Sequence, residues 1–98
     1  MPITSTQTDK SVRIKTEERF DYAAHTEFRN TYRDVSPNYE YIIDMSETSY
    51  MDSSALGMML LLREHAGSEH SNISVIGASP EIKKILEISN FDKLFKIR

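Results

Sequence analysis

An apolar strand pattern that leads into an apolar helix pattern constrains the fold of this chain most. Residues 41–45, Tyr-Ile-Ile-Asp-Met, have the β-branched and aromatic character of a buried strand. Downstream, Leu56, Met59 and Leu60 recur at helical spacing and predict an inward stripe on a helix from Ser53 to about His65. A buried strand followed closely by such a helix is typical of α/β folds, in which the helix covers the sheet.

The rest of the chain alternates between the same two patterns. Segments 3–8 and 11–16 predict an antiparallel hairpin that turns at residues 9 and 10. Asp21 is a plausible N-cap for a helix that runs to about Arg33, with Ala24, Phe28, Thr31 and Tyr32 on one stripe. Ser79 and Pro80 mark the start of a third helix. The other predicted strands are 39–45, 73–76 and a short one within 94–97.

This order of elements predicts an α/β fold with a mixed sheet of about four to five strands. The opening hairpin is antiparallel, and the later strands are parallel, joined by right-handed crossovers. About three helices pack on the sheet. Ninety-eight residues, of which 39% are hydrophobic, suit one small domain over residues 1–98.

Composition excludes several classes of function. The chain has no cysteine, so disulfides, thiol catalysis and cysteine-ligated metals are excluded. A net charge of −3, with both signs interspersed, argues against nucleic acid and anionic membranes and favours protein partners. No apolar run approaches the roughly 20 residues that span a bilayer, and the first four residues do not resemble a signal peptide. We expect a cytoplasmic protein without membrane insertion.

Motifs for catalysis and for cofactor binding are missing from the sequence. His25, His65 and His70 are too scattered for a zinc motif, and no nucleophile elbow, phosphate loop or dinucleotide fingerprint occurs. Asp44 and two other acids, at positions 21 and 52, sit at the ends of predicted elements that converge near the second helix in this fold. The alternative interpretation is three separate solvated carboxylates, and Mg²⁺ binding by the three is disfavoured. We expect no enzyme activity, no cofactor and no metal.

The most distinctive motif is the pair Ser53-Ser54, which opens the predicted second helix. Ser53 could be an ordinary helix cap, or it could present an exposed hydroxyl that a kinase reaches. The small residues Ala55 and Gly57 leave the backbone approachable there. Ser54 fits better as a residue that packs or caps the first turn.

Several segments together resemble STAS domains, the anti-sigma factor antagonists of bacteria. Met-Asp-Ser-Ser-Ala-Leu-Gly at 51–57 is similar to the family signature, Phe20-Asp21 to its step into the first helix, and 90–95 to its closing segment. Asp44 stands where the family often has Asn or Asp. The chain departs from the family pattern at Ala55 and Glu18, where glycine is common.

The resemblance implies a phosphorylation switch at Ser53. Unmodified, such a protein binds an anti-sigma factor; a serine kinase modifies it, and a phosphatase resets it. We expect Met58 to be exposed near the helix start, because it falls off the predicted stripe, and the methyl group of Ala55 to lie at the binding face. The expected partner-binding residues are Asp21, Tyr50, Met51, Asp52, Ser54, Ala55 and Met58.

Two other functions remain open. Short STAS proteins also serve as assembly subunits of transporter or sensory complexes without a phospho-switch, and the short C-terminus after Phe95 favours that alternative and makes self-association possible. A module that binds a nucleotide or a lipid near Ser53 has only the helix N-terminus in its support.

Overall fold

The computed structural model describes residues 3–98 and has a five-stranded sheet at its centre. Short 3₁₀ turns at Tyr22–Ala24, Ser68–His70 and Phe91–Lys93 connect the longer elements. In chain order these elements are β1 (Thr4–Thr8), β2 (Ser11–Lys15), β3 (Arg19–Phe20), α1 (His25–Asn30), β4 (Glu40–Asp44), β5 (Tyr50–Met51), α2 (Ser53–His65), β6 (Ile73–Ile76), α3 (Pro80–Ile88) and β7 (Lys96–Ile97).

The main sheet has the strand order β1-β2-β4-β6-β7. Strands β1 and β2 pair antiparallel, and every later pair is parallel. Residues 9 and 10 form the hairpin turn, where Lys10 takes a left-handed conformation with φ 55°. The predicted mixed sheet is therefore confirmed, with the hairpin, the parallel strands and three α-helices all present.

The core is built on a row of side chains that crosses the three central strands. Ile14 of β2, Ile43 of β4 and Val75 of β6 are neighbours in register, and each is fully buried. The helices contribute Phe28, Leu62 and other apolar side chains to the same cluster. Burial of this kind contributes about 25 cal/mol per Å² of apolar surface, which is the main source of stability for so small a chain.

Helix α1 is shorter than the sequence pattern predicts. A 3₁₀ turn precedes it and a further turn follows it up to Asp34. Of the predicted stripe, Ala24, Phe28 and Tyr32 are buried, whereas Thr31 is half-buried. Helix α3 begins as expected at Ser79, whose Oγ accepts a hydrogen bond from the backbone N–H of Ile82 at 3.2 Å. None of the helices formed by residues 3–98 is long and apolar enough to cross a membrane.

Helix α2 buries a different face from the one expected. Ala55, Met58, Met59 and Leu62 are buried, whereas Leu60 is 41% exposed. The predicted stripe is therefore wrong at Leu60, because nearly every position from 55 to 62 is apolar and spacing alone admits more than one inward face.

A second, two-stranded sheet was not expected. Strands β3 and β5 pair in parallel, with Arg19 opposite Tyr50 and Phe20 opposite Met51. Each strand has only two residues, too few for an alternating pattern to be recognised. This small sheet places the start of α2 beside the chain that leads into α1.

Candidate functional site

Strands β3 and β5 bring two aspartates to equivalent positions at their carboxyl ends. Asp21 follows Phe20, and Asp52 follows Met51, the residue opposite Phe20. Oδ1 of Asp21 accepts a hydrogen bond from the backbone N–H of Ala23 at 3.1 Å and caps the turn before α1. Asp52 caps α2 in the same way. The 3₁₀ turn that leads into α1 and the helix α2 therefore start beside each other, and each is capped by a carboxylate.

Asp52, not Ser53, is the N-cap of α2. Its Oδ1 accepts hydrogen bonds from the backbone N–H groups of Ser54 at 3.0 Å and of Ala55 at 3.2 Å. The hydroxyl of Ser54 donates a third bond to the same oxygen at 2.6 Å. This bond is the main reason that the pKa of Asp52 lies below its ordinary value; partial desolvation acts against it, and the two backbone bonds add to it.

Ser53 is the first residue of α2 and is exposed. Within residues 3–98 its hydroxyl makes no hydrogen bond, because Asp52 already binds the free N–H groups that a capping serine would satisfy. The interpretation of Ser53 as an ordinary helix cap is therefore wrong. Its hydroxyl is open to solvent at the positive end of the helix.

A buried polar network holds the loop between β4 and β5 and thereby positions Asp52. Thr48 Oγ1 donates to the carbonyl oxygen of Glu17 at 2.7 Å and lies 2.6 Å from the hydroxyl of Thr16. The backbone N–H groups of Ser49 and Tyr50 both bond to the carbonyl oxygen of Glu18, at 2.9 Å and 3.1 Å. Sequence reasoning missed this network, since threonines in a loop carry no signal until the strand register is known.

Arg19 lies over this surface. Its guanidinium carbon is 4.2 Å from the ring centroid of Tyr50, and its Nε is 3.5 Å from Oδ2 of Asp21. The arginine side chain is 65% exposed, so each contact is worth no more than about 1 kcal/mol. Arg19 thus links the ends of β3 and β5.

Asp44 is a structural residue. Its side chain is 5% exposed and bonds Nη2 of Arg13 at 2.7 Å and the backbone N–H of Ser46 at 2.9 Å. Burial raises the pKa of Asp44, but the bonds from Arg13 and Ser46 outweigh it, so the net pKa is lowered. The interpretation of Asp44 as a solvated carboxylate is wrong. No cluster of three or more possible metal ligands is found among residues 3–98.

Three of the expected partner-binding side chains are buried instead of exposed. Met51 is 5% exposed, Ala55 0% and Met58 4%. The predicted exposure of Met58 is wrong, and the methyl group of Ala55 faces the core, because both lie on the buried side of α2. The polar and aromatic members that remain accessible are Asp21, Tyr50, Asp52 and Ser54, together with Ser53 and the 70% exposed Tyr22.

Comparison with known proteins identifies the family. The family model described as Mlab, STAS domain, matches residues 3–97. The chain belongs to the STAS domain family. A STAS-domain containing protein of Pseudomonas aeruginosa (strain UCBPP-PA14) is 52% identical over 85 residues, which are 86% of this chain and 84% of that protein.

Solved structures share the fold of this STAS domain at low sequence identity. An anti-sigma factor antagonist from Mycobacterium paratuberculosis matches with a TM-score of 0.80 and 17% identity over 97% of this chain and 82% of that one. The Bacillus cell fate determinant SpoIIAA in its phosphorylated form matches with a TM-score of 0.72 and 18% identity over 98% and 90%. These similarities confirm the expected STAS-like fold.

Proposed function

We propose that this STAS domain is an anti-sigma factor antagonist whose binding is switched at Ser53. Unmodified, it binds an anti-sigma factor or a similar regulator; a serine kinase phosphorylates Ser53 and releases the partner, and a phosphatase restores binding. The observation that carries the proposal is the exposed, unbonded hydroxyl of Ser53 beside the cap formed by Asp52. The domain is the substrate of the kinase and has no catalytic part.

The negative charge of the phosphate is what weakens binding of the partner in this proposal. Phosphorylation adds about −1.5 to −2 charges next to Asp52, on a surface that also carries Asp21. If a partner covers Ser53 with no cation opposite, an unpaired charge costs on the order of 3–5 kcal/mol, or about 10² to 10³-fold in affinity or more. The favourable interaction of the phosphate with the helix dipole contributes only about 0.3–1 kcal/mol. Modification therefore acts on binding far more than on folding.

Because of the geometry of the cap, phosphorylation of Ser53 should not disturb the fold. Asp52 and Ser54 hold the first turn of α2 through one carboxylate oxygen, and Ser53 takes no part in those bonds. A phosphate on Ser53 leaves them in place. The names of the two structural relatives, an anti-sigma factor antagonist and a phosphorylated SpoIIAA, support the same kind of function.

Affinity capture from the native cells tests the proposal, with wild type, Ser53→Ala and Ser53→Glu as baits. We expect a regulator to be retained by wild type and Ser53→Ala and lost by Ser53→Glu, with phosphate found on Ser53 of the wild type by mass spectrometry. Ser5→Glu is the matched control, because Ser5 is exposed on β1 and gains the same charge. Equal retention by all baits would count against the switch.

The alternative function is that of an assembly subunit. Leu60 and Leu61 of α2 are 41% and 49% exposed, and outward apolar side chains suit a constant partner. In that case the same set of subunits is captured whatever residue stands at position 53. Substitution of Leu60 by Ser then releases the subunits, whereas substitution of Ser53 does not.

A further inference from the structure

The groove between α1 and the second half of α2 is lined by positively charged side chains and by an exposed leucine. Arg29 and Arg33 lie on one wall together with His25, and Leu61 lies on the other. The groove has a volume of about 590 Å³, enough to receive several side chains of a partner. It lies about 12–18 Å along the axis of α2 from Ser53, given a rise of 1.5 Å per residue. Leu61, on the α2 wall, is therefore remote from Ser53.

The basic side chains form a regular row. His25, Arg29 and Arg33 are spaced four residues apart, and Arg33 continues the helical path because its backbone N–H bonds to the carbonyl oxygen of Arg29 at 3.1 Å. Residues at this spacing lie on one side of a helix, about 6 Å apart along its axis. The row thus spans about two turns and can meet acidic groups spaced in the same way on a second helix.

The positive charge of this row is largely uncompensated. Arg29 has no ion-pair partner within residues 3–98, and Arg33 reaches only the neighbouring Asp34, at 3.6 Å, with both side chains exposed. Such an exposed pair is worth little. Glu64 is the acidic residue in the lining of the groove. In a chain of net charge −3, a local excess of arginine is complementary in charge to an acidic partner.

The floor of the groove is rigid. Nε2 of His65 donates a hydrogen bond to the carbonyl oxygen of Val35 at 2.8 Å, and its ring lies 5.0 Å from the ring of Tyr32. Tyr32 is buried. A partner therefore meets a preformed aromatic base with cations at its rim, which limits the ordering cost of binding.

We propose that this groove docks an acidic amphipathic helix of a protein partner, independently of Ser53. Acidic side chains on one row of the helix pair with Arg29 and Arg33, and an apolar side chain on the adjacent row packs on Leu61. Nucleic acid fits less well, since two arginines neutralise few phosphates and the whole chain is acidic. The recognition mode is that of a helix in a groove.

Selection from a displayed library of random peptides of about 15 residues, some four helical turns, tests the proposal with the purified domain. We expect the selected peptides to be rich in Asp and Glu at helical spacing, with Leu or Phe between them. Binding of these peptides should fall about tenfold or more in the Arg29→Glu/Arg33→Glu variant. Leu61→Ala should weaken binding severalfold, and Ser53→Glu should leave it unchanged, so that failure of the groove and failure of the switch are told apart.

The matched control is Lys83→Glu/Lys84→Glu on α3, which makes the same change of charge at two exposed cations elsewhere. Peptides without an acidic bias, or equal loss of binding in the control variant, would overturn the proposal. So would a failure to select any peptide. Two further results would replace it: retention on vesicles of anionic phosphatidylglycerol, or dimerisation in light scattering, in either case lost when Arg29 and Arg33 are reversed.

Discussion

Oδ1 of Asp52 lies 2.6 Å from Oγ of Ser54 and binds two backbone N–H groups of the same turn. Three donors therefore converge on one carboxylate oxygen at the start of α2. The serine between these residues, Ser53, is left with an exposed hydroxyl and no structural duty. Asp52 and Ser54 therefore hold the first turn of α2, and the hydroxyl of Ser53 is not needed for that.

Removing the cap should destabilise the domain, whereas removing the hydroxyl of Ser53 should not. We expect Asp52→Ala to lower the thermal midpoint, because two backbone N–H groups and the hydroxyl of Ser54 lose their acceptor. Asp52→Asn retains an acceptor and should recover most of the loss. Thermal unfolding followed by circular dichroism measures both, with Ser53→Ala as the control. A midpoint for Ser53→Ala as low as that for Asp52→Ala would contradict the assignment of the cap.

The buried carboxylate of Asp44, paired with the exposed Arg13, should make the domain sensitive to acid. The pKa of Asp44 is lowered in the folded state, so the unfolded chain binds the proton more tightly. The stabilisation is complete above the ordinary pKa of about 3.9 and is lost as the pH falls through the lower, folded-state value. Urea unfolding between pH 7 and pH 3 should show this loss.

The control for this pH dependence is Asp9→Asn, in the exposed hairpin turn. We expect Asp44→Asn to be less stable than wild type at pH 7 and to lose part of the decline in acid. Asp9→Asn should keep the wild-type profile. An unchanged acid profile in Asp44→Asn would mean that other carboxylates determine the acid sensitivity.

Two glycines should respond in opposite directions to alanine. Gly77 has φ +72°, and an added Cβ would lie 2.9 Å from Cβ of Ser46, so Gly77→Ala should cost about 1–2 kcal/mol or more. A Cβ at Gly57 meets nothing within 4 Å, and in a helix interior Gly57→Ala should stabilise by about 0.5–1 kcal/mol. Chemical denaturation of the two variants and of wild type measures the sign of each change in the free energy of unfolding. Destabilisation by Gly57→Ala would show that this face of α2 is more crowded than the structure indicates.

The buried face of α2 can be checked with two neighbouring leucines. Leu62 is fully buried, so Leu62→Ala should cost about 2–5 kcal/mol. Leu60 is 41% exposed, and Leu60→Ala should change the free energy of unfolding by about 0.5 kcal/mol or less. Equal losses at the two positions would favour the inward stripe through Leu60 that helical spacing suggested.

Most of the architecture could be read from patterns of residues. The hairpin, strand β6 at 73–76 and the cap and proline of α3 agree with the structure within a residue or two, since their signals are local. The STAS signature at 51–57 likewise identified the family before any geometry was known. Sequence also predicted that Ala24, Phe28 and Tyr32 face the core, because polar residues between them leave only one apolar stripe.

The sequence by itself determined the order of the elements, the family and the position of the serine pair. Only the tertiary structure decided that Asp52 is the cap, that Met58 faces inward and that β3 pairs with β5. A strand of two residues has no period to recognise, and a helix that is apolar on nearly every side cannot select its own buried face. Both points are decided by tertiary contacts, such as the pairing of β3 with β5, which joins residues some 30 positions apart in the chain.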